Sequence, residues 1–202
     1  MYKLYDFLPS GNGYKVRLLL TLLDIPFERI ELNILERETR TPEFLAKNPN
    51  GKIPLLEIAP DRFLSESNAI LYYLAQDTEY LPTDKYARSQ VMQWLFFEQF
   101  SHEPNLATAR YWISILQQPE KHAEQLSHKH RLGNAALKLM EQHLSDRHYF
   151  VAETYSIADI VLYAYTHVAE EGGFDLAQYP NIQAWLQRVA DRPKHLLITD
   201  CD

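Results

Sequence analysis

Cysteine occurs once among the 202 residues, at Cys201, one residue from the end, where it reads as an exposed tail residue. No internal disulfide and no Cys-x-x-Cys redox pair can form, and a reducing, cytoplasmic setting is expected. No apolar run approaches the roughly 18 residues needed to span a bilayer. The first residues open directly into a strand-like pattern, so no signal or transit peptide is expected. There is no basic block, and a net charge of −7 argues against nucleic acid or an anionic membrane as partner. Repeats and low-complexity segments are absent as well. What is present is ordinary for a soluble globular protein, 46% hydrophobic and 23% charged, which sets aside disordered and fibrous classes. The length suits one large domain or two small ones.

The first third of the chain alternates strand and helix signals. Tyr2 to Phe7 alternates as a strand, and Leu8-Pro9-Ser10-Gly11-Asn12-Gly13 is rich in turn residues. Tyr14 to Leu23 takes a helical pattern with Val16, Leu19, Leu20 and Leu23 on one face, and Pro26 stops it. Phe27 to Ile34 alternates again, and a short helix is expected from Pro42 to Lys47. A turn at Asn48 to Gly51 leads to strands at Ile53 to Ile58 and Arg62 to Leu64, then a helix from Ser67 to Gln76. The order β-α-β-α-β-β-α predicts a mixed sheet with helices packed on it. Beyond Leu81-Pro82-Thr83-Asp84 everything reads as helix. One long aromatic-rich helix is expected from Tyr86 to about Gln117, kinked at Pro104. Others are expected at Lys121 to Ser145, Ser156 to Ala169 and Asn181 to Asp191. The domain boundary falls near residues 77–84.

Two short stretches together suit a small peptide. Asn50-Gly51-Lys52-Ile53-Pro54 offers a turn and an X-Pro bond just before an apolar strand. Ser65-Glu66-Ser67-Asn68-Ala69-Ile70 offers a hydroxyl, a carboxylate and a hydroxyl at the start of an apolar helix. A ligand with both a free carboxylate and a free amine matches that pairing of charges. Taken singly, Glu66-Ser67 also reads as ordinary capping and Lys52 as a surface lysine. Ser10 reads either as a cap or turn serine, or as a hydroxyl facing a cleft among backbone amides. No catalytic triad forms around it. His128 and His130 read as a solvated helix face, so no metal is expected. Ser156-Ile157-Ala158-Asp159 reads as a capping box with Asp in place of Glu, a structural device.

Four stretches in sequence, Ser10 to Arg17, Asn48 to Pro54, Glu66 to Ile70 and Ser156 to Asp159, resemble the cytosolic glutathione transferases of the bacterial-type, serine-using branch. The resemblance covers essentially the whole chain. It implies an α/β thioredoxin-like N-terminal domain over residues 1–78, an all-α helical domain over 85–202, and a homodimer. It implies an enzyme that activates the thiol of glutathione for attack on small hydrophobic electrophiles, a detoxification role.

Residue by residue, the resemblance assigns Ser10 as donor to the glutathione sulfur, with Asn12 as a further donor. Ile53, before a cis Pro54, pairs its backbone with the cysteinyl part. Glu66 takes the γ-glutamyl ammonium and Ser67 the neighbouring carboxylate, while Lys52 meets the glycyl carboxylate, aided by Arg37 or Arg40. Leu8, Pro9, Arg110 and Tyr111 are candidates for the electrophile pocket. Ser10 is preferred over Tyr5, since alignment places Asp6 where tyrosine-using branches carry their hydroxyl. Two alternatives stand beside this reading. One is a non-catalytic binding module of the same fold. The other is maleylacetoacetate isomerase, which expects serine where Gly11 stands.

Overall fold

Strand and helix alternate through residues 1–78 in the expected order. The computed structural model describes residues 1–200; Cys201 lies outside the described residues. The elements are β1 (Tyr2–Asp6), α1 (Gly11–Leu22), β2 (Phe27–Glu31), α2 (Pro42–Lys47), β3 (Leu55–Ala59), β4 (Arg62–Ser65) and α3 (Ser67–Leu74). The sheet runs β2-β1-β3-β4, with β1 and β2 parallel and the remaining pairs antiparallel. Leu4 faces Leu56 across the β1–β3 ladder and both are fully buried. The next pair, Tyr5 and Leu55, points to the opposite face because strand side chains alternate. There it joins Phe44 of α2 in a core cluster flanked by Ile30, Leu32, Ile53 and Phe63. α1 and α3 pack on each other, and Val16 and Leu19 of α1 and Ile70 and Leu71 of α3 are fully buried. This is a thioredoxin-like arrangement.

Several boundaries differ from the sequence expectation. α1 begins at Gly11, three residues early, because Ser10 caps it and accepts a bond from the Gly13 N–H at 3.3 Å. Gly13 is inside the helix for a steric reason: a Cβ there would lie 1.5 Å from Asp6 Oδ1. β2 stops at Glu31, since Asn33 caps a short 3-10 turn by accepting from the Leu35 N–H at 3.0 Å.

A second compact unit comprises Glu79–Arg192, and the segment from Pro193 onward belongs with the first. The second unit is helical: α4 (Lys85–Phe97), α5 (Glu103–Arg110), α6 (Ala123–His143), α7 (Ile157–Thr166) and α8 (Pro180–Ala190). The single helix expected over 86–117 is broken by a π turn at Glu98–His102, and a second π turn at Tyr111–Ile115 follows α5. Pro104 has no N–H and its ring crowds the carbonyl of Phe100, so the regular ladder is interrupted there. Among the described residues, no helix is long and apolar enough to cross a membrane.

The capping box at Ser156 is formed. Asp159, fully buried, accepts from the Ser156 N–H (3.0 Å), the Phe150 N–H (3.2 Å) and Trp185 Nε1 (3.0 Å). It therefore joins the start of α7 to α8 and to the turn before α7. Burial pushes its carboxyl up to about 6, against the pull of those donors. The expectation of a solvated histidine face on α6 fails for His130, which is half-buried and bonds the Gly172 carbonyl at 2.8 Å. His128 is exposed and lies 3.3 Å from Arg131.

The tail was expected to continue the helical domain. Instead Tyr14 Oη donates to the Leu196 carbonyl at 2.7 Å, and Arg17 donates to the carbonyls of Ile198 (3.0 Å) and Asp200 (2.7 Å).

Candidate active site

Strand register brings three chain ends to one edge of the sheet. Tyr5 pairs with Leu55 and Leu55 with Ser65, so the end of β1, the start of β3 and the end of β4 lie side by side. The loop carrying Ser10 leaves β1 at that edge, Ile53–Pro54 enters β3 there, and Glu66-Ser67 leaves β4 there. The Ile53–Pro54 peptide is cis. Ile53 precedes both ladders of β3, so its backbone groups lie beyond the sheet's own pairing.

The Ser10 loop is held by its backbone. The Ser10 N–H donates to the Phe7 carbonyl at 2.7 Å, the Leu8 N–H donates to the Glu31 carboxylate at 3.1 Å, and Arg17 donates to the Leu8 carbonyl at 2.8 Å. As cap of α1, the half-buried Ser10 hydroxyl accepts from Gly13 through a lone pair. That leaves its O–H to donate, so the capping and site readings of Ser10 are compatible.

Asn12 Oδ1 accepts from Ser67 Oγ at 3.2 Å and from Lys15 Nζ at 2.8 Å. Lys15 Nζ also donates to Ser67 Oγ and Asn68 Oδ1, both at 3.3 Å. The first turns of α1 and α3 are thus tied together, and with them Asn12 and Ser67. The Ser67 backbone N–H heads α3, where helix N–H groups lack intrahelical partners and the dipole favours an anion. Glu66 is exposed and held at φ 68°, ψ 112°, a conformation costing about 1–3 kcal/mol that tends to occur where a site demands it.

The turn before β3 is built by buried Asn48, whose side chain donates to the Lys52 carbonyl at 2.8 Å and accepts from the Asn50 N–H at 3.2 Å. Arg40 braces it, donating to the Asn50 carbonyl at 3.0 Å. Lys52 is exposed beside it. Arg37 is exposed in the left-handed region (φ 62°), and its carbonyl accepts from the Arg40 N–H at 2.8 Å. Leu8 and Pro9 are half-buried next to Ser10. Arg110 and Tyr111 belong to the helical unit, where buried Arg110 donates from Nε to Glu171 at 2.7 Å.

Tyr5 turns onto the α2 face, its hydroxyl donating to Glu57 at 3.0 Å and its ring meeting Phe44 edge-on at 6.0 Å. Burial, then Glu57, pushes the phenol up to about 12, the opposite of an activated hydroxyl. Asp6, the neighbouring position, is fully buried 3.0 Å from Arg17 Nε, and burial holds its carboxyl above the usual range despite that cation.

The residues missed by sequence reasoning are Lys15, Asn68 and Arg17. Asn12 and Lys15 stand three apart on one helix face, a spacing that signals their contact. The Ser67 link has no local signal.

Residues 1–76 match the family model described as Glutathione S-transferase, N-terminal domain, and residues 89–193 match Glutathione S-transferase, C-terminal domain. The chain is 31% identical to Glutathione S-transferase 1 of Schizosaccharomyces pombe, covering 95% of this chain and 92% of that one. It is 29% identical to the disulfide-bond oxidoreductase YfcG of Escherichia coli, covering 96% and 92%. A crystal structure of a glutathione S-transferase from Pseudomonas fluorescens superposes with a TM-score of 0.97 at 52% identity, covering 98% and 99%. The chain belongs to the glutathione S-transferase family.

Proposed function

We propose that this protein binds glutathione along the described sheet edge and ionises its thiol for attack on small hydrophobic electrophiles. The observation that carries the reading is the bonded cluster of Asn12, Lys15 and Ser67, which unites the Ser10 loop with the start of α3. In this reading Ser10 donates its hydroxyl hydrogen to the sulfur and Asn12 is a second donor. The Ile53 backbone pairs with the cysteinyl unit. Glu66 receives the γ-glutamyl ammonium, Ser67 receives the adjacent carboxylate, and Lys52 with Arg37 meets the glycyl carboxylate. Leu8 and Pro9 offer apolar surface to the electrophile.

The magnitudes are adequate. A free thiol of pKa about 8.5 is only a few per cent ionised at neutral pH. A hydrogen bond to a charged acceptor contributes roughly 1.5–3 kcal/mol, about one to two pKa units, enough to make thiolate a large fraction. The N–H groups and dipole of α1 act in the same direction.

The reading includes a homodimer. Tyr86 and Phe96 of α4, and Phe100 just beyond it, are 73%, 57% and 77% exposed, apolar surface of the kind a second copy covers. Sedimentation equilibrium tests this part.

The central test titrates wild type and Ser10→Ala with glutathione and follows thiolate absorbance against pH. Bound thiol ionising below its solution value in wild type, with the shift reduced in Ser10→Ala, supports the reading. Absence of glutathione binding at millimolar concentration would sink it. Aryl halide conjugation and glutathione-dependent disulfide reduction, assayed side by side, assign the step that follows ionisation.

A further inference from the structure

Arg17 is buried in the second turn of α1, with its Nε 3.0 Å from the Asp6 carboxylate. Its other two nitrogens donate to three main-chain carbonyls. Nη2 is shared between Leu8 (2.8 Å) and Ile198 (3.0 Å), and Nη1 takes Asp200 (2.7 Å). One planar group thus joins the loop that leads into Ser10 to the tail. Leu8 stands two residues before Ser10, and Pro9 between them has no N–H. The Leu8–Pro9 peptide therefore offers its oxygen alone, and Arg17 takes it. The neighbouring amides are committed elsewhere, Leu8 N–H to the Glu31 carboxylate at 3.1 Å and Ser10 N–H to the Phe7 carbonyl at 2.7 Å. Turning the Leu8–Pro9 peptide would move the backbone that leads into Ser10.

The tail is shaped to meet this guanidinium. Leu196 and Ile198 are buried, while Leu197 between them is exposed. The Leu197 N–H donates to the Asp200 carboxylate at 2.8 Å and the Asp200 N–H to the Leu197 carbonyl at 3.0 Å, closing a turn. That turn presents the Ile198 and Asp200 carbonyls to Arg17, and Tyr14 Oη holds the Leu196 carbonyl at 2.7 Å. A desolvated guanidinium requires acceptors for its donors. With the tail released, Nη1 loses its carbonyl, Nη2 keeps Leu8 alone, and water reaches the group. The hydrated side chain is then free to leave Leu8, because the fork is held in one orientation by all three carbonyls together.

We propose that Arg17 is a positioning residue of the glutathione site and that the tail from Leu196 to Asp200 is the strap that locks it. The strap holds the guanidinium on the Leu8 carbonyl and so fixes the Ser10 hydroxyl against the glutathione sulfur. The inference rests on the reading that Ser10 ionises bound glutathione. It extends the site to a segment about 190 residues from Ser10 in the chain, through the single side chain that both ends share.

The test compares wild type, Arg17→Lys and the double variant Leu196→Ser/Ile198→Ser, each checked by circular dichroism. Ile182→Ala, which removes buried apolar contact from α8 of the second unit, controls for lost stability alone. Hydrogen exchange of the free protein reads the strap without glutathione. Arg17→Lys and the double variant are expected to exchange the Leu8 and Ser10 amides at least about tenfold faster than wild type, and Ile182→Ala at the wild-type rate. The ultraviolet titration then reads the site. The bound thiol pKa is expected to rise by about one unit in both strap variants. Affinity for S-methylglutathione, which has no thiolate, is expected to change less than about threefold. Arg17→Lys keeps the charge, so its shift reports the lost fork. If one strap variant fails to fold, the other decides the matter. Wild-type exchange at Leu8 and Ser10, or a wild-type thiol pKa, in the folded strap variants would overturn the proposal. An equal thiol shift in Ile182→Ala would assign the effect to lost stability and overturn it as well. Failure of wild type itself to bind glutathione would instead overturn the glutathione reading and leave the exchange result standing, so the two failures are distinguishable.

Discussion

Arg17 provides the sharpest prediction about stability. Its guanidinium is 1% exposed and faces Asp6, 0% exposed, at 3.0 Å, as a charge contact rather than an aligned hydrogen bond. The remaining donors reach the carbonyls of Leu8 (2.8 Å), Ile198 (3.0 Å) and Asp200 (2.7 Å). Arg17→Met removes the cation and leaves the Asp6 carboxylate uncompensated, a loss of about 3–5 kcal/mol. Set against a typical total of about 5–15 kcal/mol, this is a large fraction. The loss should depend on pH. Burial holds the Asp6 carboxyl above its ordinary value even beside Arg17, and without that cation it rises further. A raised folded-state pKa means the penalty is absent below the unfolded value, near 3.9, and grows as pH rises through the folded value. Urea unfolding of wild type and Arg17→Met, followed by circular dichroism at pH 5 and pH 8, should show the larger difference at pH 8. Limited proteolysis should cut the variant earlier beyond Pro193, since three tail and loop carbonyls lose their donor. Arg17→Lys keeps the charge but lacks the planar fork, so it should retain much of the stability and still release the tail. A loss below about 1 kcal/mol at pH 8, or an equal loss at both pH values, would refute the reasoning.

Three further outcomes are expected. Gly13→Ala places a Cβ 1.5 Å from Asp6 Oδ1, so it should lower stability by at least about 1–3 kcal/mol through overpacking; an unchanged melting temperature would contradict the close approach. Asp159, at about 6 in the fold, contributes stability that is complete below pH 4 and is lost as pH rises through 6. That amounts to about 3 kcal/mol for two pKa units. The stability of wild type relative to Asp159→Asn should therefore fall between pH 4 and pH 8, and parallel profiles from urea midpoints would speak against it. Tyr5→Phe removes a hydroxyl committed to Glu57, so glutathione conjugation by the purified variant should stay close to wild type, whereas a loss as large as that of Ser10→Ala would reassign the activating group.

Much of the fold was legible because its signals are local. Turn residues at Asn48 to Gly51, alternation in β1 and β2, the Ser156-to-Asp159 cap and the start of α3 at Ser67 all depend on neighbours within a few residues. The candidate site was legible as two stretches, and the four family-like segments joined them by resemblance. Local signals also misled: Gly11 and Gly13 read as turn, yet both belong to α1, since Ser10 caps the helix and Asp6 needs the space at Gly13.

Other features needed the third dimension. Nothing in the helical pattern of Tyr14 to Leu23 marks Lys15 and Arg17 as buried, yet both are. Their burial follows from partners about 50 and 180 residues away, at Ser67 and in the tail carbonyls. The face taken by Tyr5 follows from its pairing with Leu55 and its contact with Phe44. The tail's return to the first unit has no pattern of its own, because backbone carbonyls are the same in every residue and only their position beside Tyr14 and Arg17 selects them. Periodicity and caps are written along the chain, whereas a buried charge is decided by where distant segments meet.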